Sequence, residues 1–188
     1  MKYIKFDTIK STNDFLKSYA KNNELNNFFY VYADFQEKGR GQRANIWQSE
    51  CCKNALLSIF IRPAWLLEQQ MVVSQITAIS IIKVLEKFNI PDLKIKLPND
   101  IMSGEKKIGG ILIENIIQQK NWKYSIVGIG LNINQTNFVN LPNACSMKSI
   151  TNKDYSVEKI IQLIVKKINE LYQENPEILK LKFEAYLK

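Results

Sequence analysis

Between Glu68 and Asn89 apolar residues return at helical spacing, at Val72, Val73, Ile76, Ile79, Ile82 and Leu85, and Pro91 follows the run. A helix with that period carries an apolar stripe that another part of the chain must cover. The flanking sequence offers strands. Asn54–Ile61 is a short apolar run closed by Arg62-Pro63 and reads as a buried strand. Leu93–Leu97 reads as another, with Lys94 and Lys96 on one face and Pro98 ending it.

Tyr3–Asp7 alternates, and Phe28–Phe35 is aromatic and β-branched, so both are expected strands. Ser11-Thr12-Asn13-Asp14 supplies capping side chains ahead of Phe15, Leu16 and Tyr19. Ile101–Ile108 reads as a hairpin with Ser103-Gly104-Glu105-Lys106 in its turn. Gly109-Gly110 opens a strand through Glu114, which pairs with Trp122–Asn134. In that last strand Gly128, Gly130, Asn132 and Asn134 alternate and share a face. Leu141–Asn152 reads as loop, and Val157–Tyr172 and Pro176–Leu187 as helices.

At 188 residues the chain reads as one domain, 1–188, long enough to bury a core. Met1–Lys10 has no apolar h-region, and no stretch approaches the roughly 18 apolar residues that span a bilayer. Of three cysteines, two are the adjacent pair Cys51-Cys52, so neither a disulfide framework nor a zinc spacing is present. A cytoplasmic protein with reduced thiols and no membrane partner is expected. Histidine is absent, which removes the usual general base and the Ser-His and Cys-His pairs. Charge stabilisation is therefore favoured over proton shuttling. The net charge of +8 is spread along the chain without a dense basic block. An acidic protein substrate, or solubility, explains it better than nucleic acid.

The basic residues are lysines with three exceptions, Arg40, Arg43 and Arg62. Two of them lie in Gly39-Arg40-Gly41-Gln42-Arg43-Ala44-Asn45-Ile46-Trp47. A guanidinium beside glycine suits an oxyanion, because its planar fork of donors meets carboxylate or phosphate and the backbone can approach closely. The glycines fall in three places, and the nearby strand ends carry Arg40, Arg43, Lys96 with Asn99-Asp100, Lys107 and Asn132. Cations beside bare backbone point to an anionic ligand such as a nucleotide. Neither a Walker A sequence nor Gly-x-Gly-x-x-Gly is present.

Five of these motifs, in order, resemble the catalytic domain of biotin–protein ligases, within the biotin/lipoate ligase superfamily. They are Ser11-Thr12-Asn13, the loop Gly39–Trp47, Lys96-Leu97-Pro98-Asn99-Asp100, Lys107–Glu114 and Gly128–Asn132. The resemblance runs from about Lys5 to Asn134, more loosely to the C-terminal helices. It implies an α+β (α/β) fold of the class II aminoacyl-tRNA synthetase/biotin synthetase type, a central mixed, largely antiparallel sheet with helices packed on one side. The helix-turn-helix of the family's repressor members and the small C-terminal β-barrel of most relatives are not expected in this chain, so operator DNA is not an expected partner.

The implied reaction activates biotin with MgATP as biotinyl-5′-AMP and transfers it to a lysine. The expected acceptor is the biotin carboxyl carrier protein of an acyl-CoA carboxylase such as acetyl-CoA carboxylase. A homodimer is left open, and ATP, biotin and Mg2+ are expected without a tightly bound prosthetic group. By motif position the catalytic residues would be Arg40, Lys96, Lys107 and Asp100, with Asp100 also a candidate for magnesium or the incoming amine. Biotin would meet Ser11, Thr12, Asn13, Gln36, Gly39, Arg40, Gly41, Gln42, Lys96, Gly109 and Gly110. ATP would meet Arg40, Arg43, Asn45, Trp47, Asn99, Lys107, Gly128, Gly130 and Asn132, with Gly128 and Gly130 against adenine and Trp47 covering the adenylate.

The loop departs from the family pattern at Gln42, Ala44 and Asn45, where arginine, glycine and arginine are usual; fewer cations imply a weaker hold on the adenylate. Leu97 stands where tryptophan is common. Two alternatives remain. Lipoyl or octanoyl transfer, in the same superfamily, would recast Cys145 or Lys96 as a nucleophile. A non-catalytic nucleotide- or RNA-binding module would keep the fold alone and bind in a salt-dependent way.

Overall fold

The computed structural model describes residues 1–43 and 45–187. The strand bearing Gly128 and Gly130 lies at the centre of its sheet. Among the described residues seven strands form that sheet: β1 (Tyr3–Ile9), β2 (Tyr30–Gln36), β3 (Asn54–Ile61), β4 (Leu93–Lys96), β5 (Asp100–Ser103), β6 (Lys106–Gln118) and β7 (Asn121–Asn132). Their order is β1-β2-β3-β7-β6-β5-β4. Only β1 and β2 run parallel, because a helix, α1 (Thr12–Asn22), crosses between them. Every other neighbouring pair is antiparallel, so the sheet is mixed and largely antiparallel as expected.

Alternation along the strands divides the sheet into two chemistries. On one face Leu57, Ile59, Val127, Ile129 and Leu131 join a core covered by α2 (Met71–Lys87), α4 (Val157–Leu171) and α5 (Pro176–Glu184). Helix α2 is buried almost all round, Ala78 and Ile81 as fully as Ile76 and Ile79, because α4 and α5 pack against its outer side. Helix α1 is the exception to the expected one-sided layer. It packs on the opposite face, Leu16 meeting Val31, Phe60 and Ile126 in a smaller cluster.

The register sets the working surface of that second face. Ser58 pairs with Gly128 and Gly128 with Leu112, while Leu56, Gly130 and Gly110 form the next row. Two glycines in neighbouring strands leave a trough wide enough for other side chains.

Boundaries differ from the sequence reading in three places. Lys106 to Gln118 is one continuous strand, since Lys106 and Lys107 already pair with β5 before the ladder to β7 begins at Gly109. The helix expected from Glu68 starts at Met71, behind a 3-10 turn at Leu67–Gln69. The stretch Leu141–Asn152, expected as loop, contains α3 (Met147–Thr151). Ser146 and Ser149 cap that helix reciprocally, and Asn152 ends it in the left-handed conformation. No helix among the described residues is long and apolar enough to cross a membrane.

Candidate active site

The N-terminus of α1 lies across the glycine trough and lines it with hydroxyl and amide groups. Ser11 Oγ caps the helix by accepting from Asp14 N–H at 3.3 Å. Thr12 donates to Gln36 Oε1 through its backbone N–H at 2.7 Å and its hydroxyl at 2.9 Å. Ser58 Oγ lies 2.8 Å from Thr12 Oγ1 and 2.5 Å from Asn13 Oδ1. Asn13 Nδ2 donates onward to Glu114 Oε2 at 3.0 Å. Ser11, Thr12, Asn13 and Ser58 are all buried. Groups so placed need partners, and these supply one another.

Glu114 ends this chain of bonds among cations. Its carboxylate accepts from Lys17 and Arg40, each at 3.0 Å, and Arg40 also pairs with Asp14 at 2.6 Å. Burial would raise the Glu114 pKa, but the bonds from Lys17 and Asn13 and the Arg40 charge outweigh it, leaving it below its ordinary value. A depressed acid stabilises the fold above its unfolded pKa, and that contribution is lost as pH falls through the folded value. Glu114→Gln is therefore expected to destabilise the protein at neutral pH, with the deficit shrinking on acidification below about pH 4. Urea midpoints across pH check this; a deficit independent of pH would remove the charge from the account.

The loop Gly39–Trp47 folds over the trough. Trp47 N–H donates to Gly39 O at 3.0 Å, Gly41 N–H to Asn45 O at 2.7 Å, and Arg40 pairs with Ile46 across the loop. Arg43 takes the left-handed conformation, φ 54°, with its side chain exposed. Ala44, where the family pattern has glycine, falls outside the described residues.

Trp47 lies against Gly110 and Gly130, and a Cβ on Gly130 would overlap the indole. A Cβ on Gly128 would come within 2.5 Å of Asn13 Oδ1. The glycine face, expected to meet adenine, is thus occupied by Trp47 and Asn13. Glycine is needed at both positions because a side chain already fills the place of the missing one.

Two adjoining spaces result. A cavity of ≈ 180 Å³ is lined by Ser11, Thr12, Asn13, Gln36, Arg40, Gly41, Gln42, Asn45, Asn99, Gly110, Gly128 and Gly130. A cleft of ≈ 660 Å³ beside it is lined by Lys96, Asn132, Met102, Leu141 and Pro142. Trp47, Ile46, Asp100 and Lys107 line both. Arg40 and Lys96, expected to act on one pair of reacting groups, thus face different spaces with Trp47 in the wall between them.

Gly39, Gly109 and Arg43 line neither space. For Gly109 the reason is strand alternation: Gly109 and Gly110 face opposite sides of the sheet, so only one can meet the cavity. The side chain of Asn99 is committed to Ile111 O at 3.0 Å, and that of Asn132 to Cys145 O at 3.0 Å. Asp100 holds Lys107 at 2.6 Å, and Lys107 Nζ sits 5.7 Å from the Trp47 ring centroid. No group of three metal-ligating side chains occurs among the described residues. Lys96 makes no ion pair among them, unlike Arg40 and Lys107.

Asp14, Lys17, Ser58 and Glu114 were not among the expected site residues. Ser58 left a signal, a lone hydroxyl in the apolar run Asn54–Ile61. Glu114 closed a quoted motif. Nothing local marks Asp14 or Lys17, whose partners lie in the Gly39–Trp47 loop and on β6.

The sequence model of the biotin/lipoate A/B protein ligase family matches residues 5–132, the span that lines the whole of the cavity and part of the cleft. The chain belongs to this family. It is 31% identical over 132 residues to the bifunctional ligase/repressor BirA of Bacillus subtilis, covering 70% of this chain and 40% of that protein. To BirA of Escherichia coli it is 31% identical over 129 residues, covering 66% of this chain and 38% of the relative. The chain thus spans about two fifths of these curated relatives. Among solved structures, the biotin protein ligase of Aquifex aeolicus in complex with biotin and ATP superposes with a TM-score of 0.82 at 26% identity, covering 99% of this chain and 78% of that one. The family's ligase from Leishmania major with biotinyl-5-AMP gives 0.84 at 22% identity, a likeness of fold. The mixed seven-stranded sheet is that of the biotin protein ligase catalytic domain.

Proposed function

We propose that the chain activates biotin with ATP and transfers it to a lysine of a carrier protein. One observation carries the reading: motifs far apart in sequence converge on one polar cavity and an adjoining cleft lined by Lys96 and Lys107, with Trp47 between them. In the cavity the hydroxyls of Ser11 and Thr12 and the amides of Asn13 and Gln36 would meet the ureido ring. Trp47 Nε1, buried without a partner among the described residues, is a further donor. The cavity alone is smaller than a usual ligand site of about 300–1,000 Å³, and the cleft supplies the space an acyl nucleotide requires.

The carboxylate of biotin attacks the α-phosphate, an oxygen–phosphorus bond forms and pyrophosphate leaves. Two anions near 4 Å repel by about 4 kcal/mol at an effective dielectric near 20, so fixed cations lower the barrier. Arg40 serves from the cavity side, Lys96 and Lys107 from the cleft. Arg40 and Lys107 must exchange their own carboxylates for substrate oxygens, whereas Lys96 is already free to do so. The acceptor amine then attacks the mixed anhydride, the amide forms and AMP leaves. Mg2+ would sit mainly on phosphate oxygens and water, as that ion prefers, with Asp100 the carboxylate nearest to hand. Burial pushes the Cys145 thiol up to about 11 against a smaller opposing effect of Lys106, which disfavours a thioester route.

Incorporation of labelled pyrophosphate into ATP tests the first step. Exchange that rises on adding biotin is expected; the same rate with and without biotin would rule the reading out. Lipoate or octanoate replacing biotin in that assay would move the chain to the other branch of its family.

A further inference from the structure

Cys51 and Cys52 lie in the turn that leads into β3, both exposed and both free. Successive side chains on an extended chain point to opposite sides. Here Cys52 is in the left-handed conformation, φ 63°, which brings the two sulfurs to 3.0 Å. The turn is held from several directions. Cys52 N–H donates to Asp34 O at 2.9 Å, Glu50 N–H to Gln135 Oε1 at 3.1 Å, and Asn134 N–H to Lys53 O at 2.8 Å. The bite of the two sulfurs is therefore set before any ligand arrives.

We propose that Cys51 and Cys52 form a chelating dithiol that captures trivalent arsenicals, at a site no part of the biotin reaction uses. Closing the pair into a disulfide is disfavoured, since neighbouring Cα atoms stand about 3.8 Å apart and disulfides usually need about 4.4–6.8 Å. A bridging atom relieves that constraint. Pyramidal arsenic takes two sulfurs close to a right angle, which suits neighbouring thiols on one side of a turn. A two-coordinate linear metal draws its sulfurs to opposite sides, and a tetrahedral ion needs further ligands that no cluster among the described residues supplies.

The step balances without a redox partner. Two As–S bonds form on a hydrated organoarsenical, two As–OH bonds break, and two waters leave with the thiol protons. Cys145, the third thiol, is buried and does not compete.

Phenylarsine oxide is the probe, read by intact-mass spectrometry of the whole chain. One adduct per chain is expected, surviving excess monothiol and removed by a dithiol, since the second As–S bond is intramolecular. Cys51→Ser and Cys52→Ser should each weaken retention about 100-fold or more, the gain from a second linked contact. Alkylating the exposed thiols of the unmodified protein first should abolish the adduct, a test needing no substitution. Absence of an adduct on the unmodified chain, or its survival in either serine variant, would overturn the proposal.

Discussion

Replacing Lys96 with alanine is expected to slow biotin-dependent pyrophosphate exchange about 100- to 1,000-fold, or about 3–4 kcal/mol in the barrier, the usual cost of losing one preorganised donor. Lys96 ends β4, the outermost strand, and pairs in register with Asp100. Its side chain is exposed and makes no ion pair among the described residues, so its charge is available to an incoming anion. Arg40 and Lys107 differ, because each must first leave a carboxylate. The fold should tolerate the change, since exposed positions usually shift stability by about 0.5 kcal/mol or less. An unchanged melting temperature with the slowed exchange is thus the expected pair of results. A loss below about tenfold would show that Lys96 lies outside the reacting region.

Gly130→Val is expected to expel Trp47 from the trough. The added side chain would fall within the indole, and neither the central strand β7 nor its neighbours β3 and β6 can retreat. Overpacking of this kind costs about 1–3 kcal/mol when the structure must absorb it. Here the loop offers the easier response, because its bonds to the body are few and its tip is exposed. Trp47 emission should shift to the red, measured against Trp47→Phe to remove the signal of Trp65 and Trp122. Proteolysis within Gly39–Trp47 should accelerate, and exchange should fall with the wall between cavity and cleft. Unchanged emission with lost stability would place the strain in the sheet instead.

The polar groups of this site are largely paired with one another. Asp14, Glu114 and Asp100 neutralise two of its cations, and the helix terminus, Gln36 and Ser58 satisfy one another across the trough. Buried polar groups are costly when unpaired, so a site that awaits a polar ligand is stable alone only if it pairs internally. Under the proposed function, substrates would enter by exchange of partners at Arg40 and Lys107, and their binding would be weakened by what they displace.

Much of this was legible in the residues. The α2 stripe, the buried run of β3 and the alternation around Gly128 each placed an element within a few residues, because a one-dimensional period records which face is covered. The cap at Ser11 and the cation loop were legible because capping and arginine chemistry act within a few positions. The helix in Met147–Thr151 escaped because its signal is a serine pair in a stretch too short for a period.

What the sequence determined by itself was the inventory: most of the strands and helices, a site without histidine, and Arg40, Lys96 and Lys107 as its candidate cations. Only the tertiary structure decided who meets whom. Gly128 faces Asn13, Gly130 faces Trp47, and Arg40 faces Asp14 and Glu114 because β3, β7 and β6 stand side by side and α1 crosses the far face. Such contacts join residues as much as 115 positions apart, and their energies depend on distance in space, which no local pattern of side chains encodes.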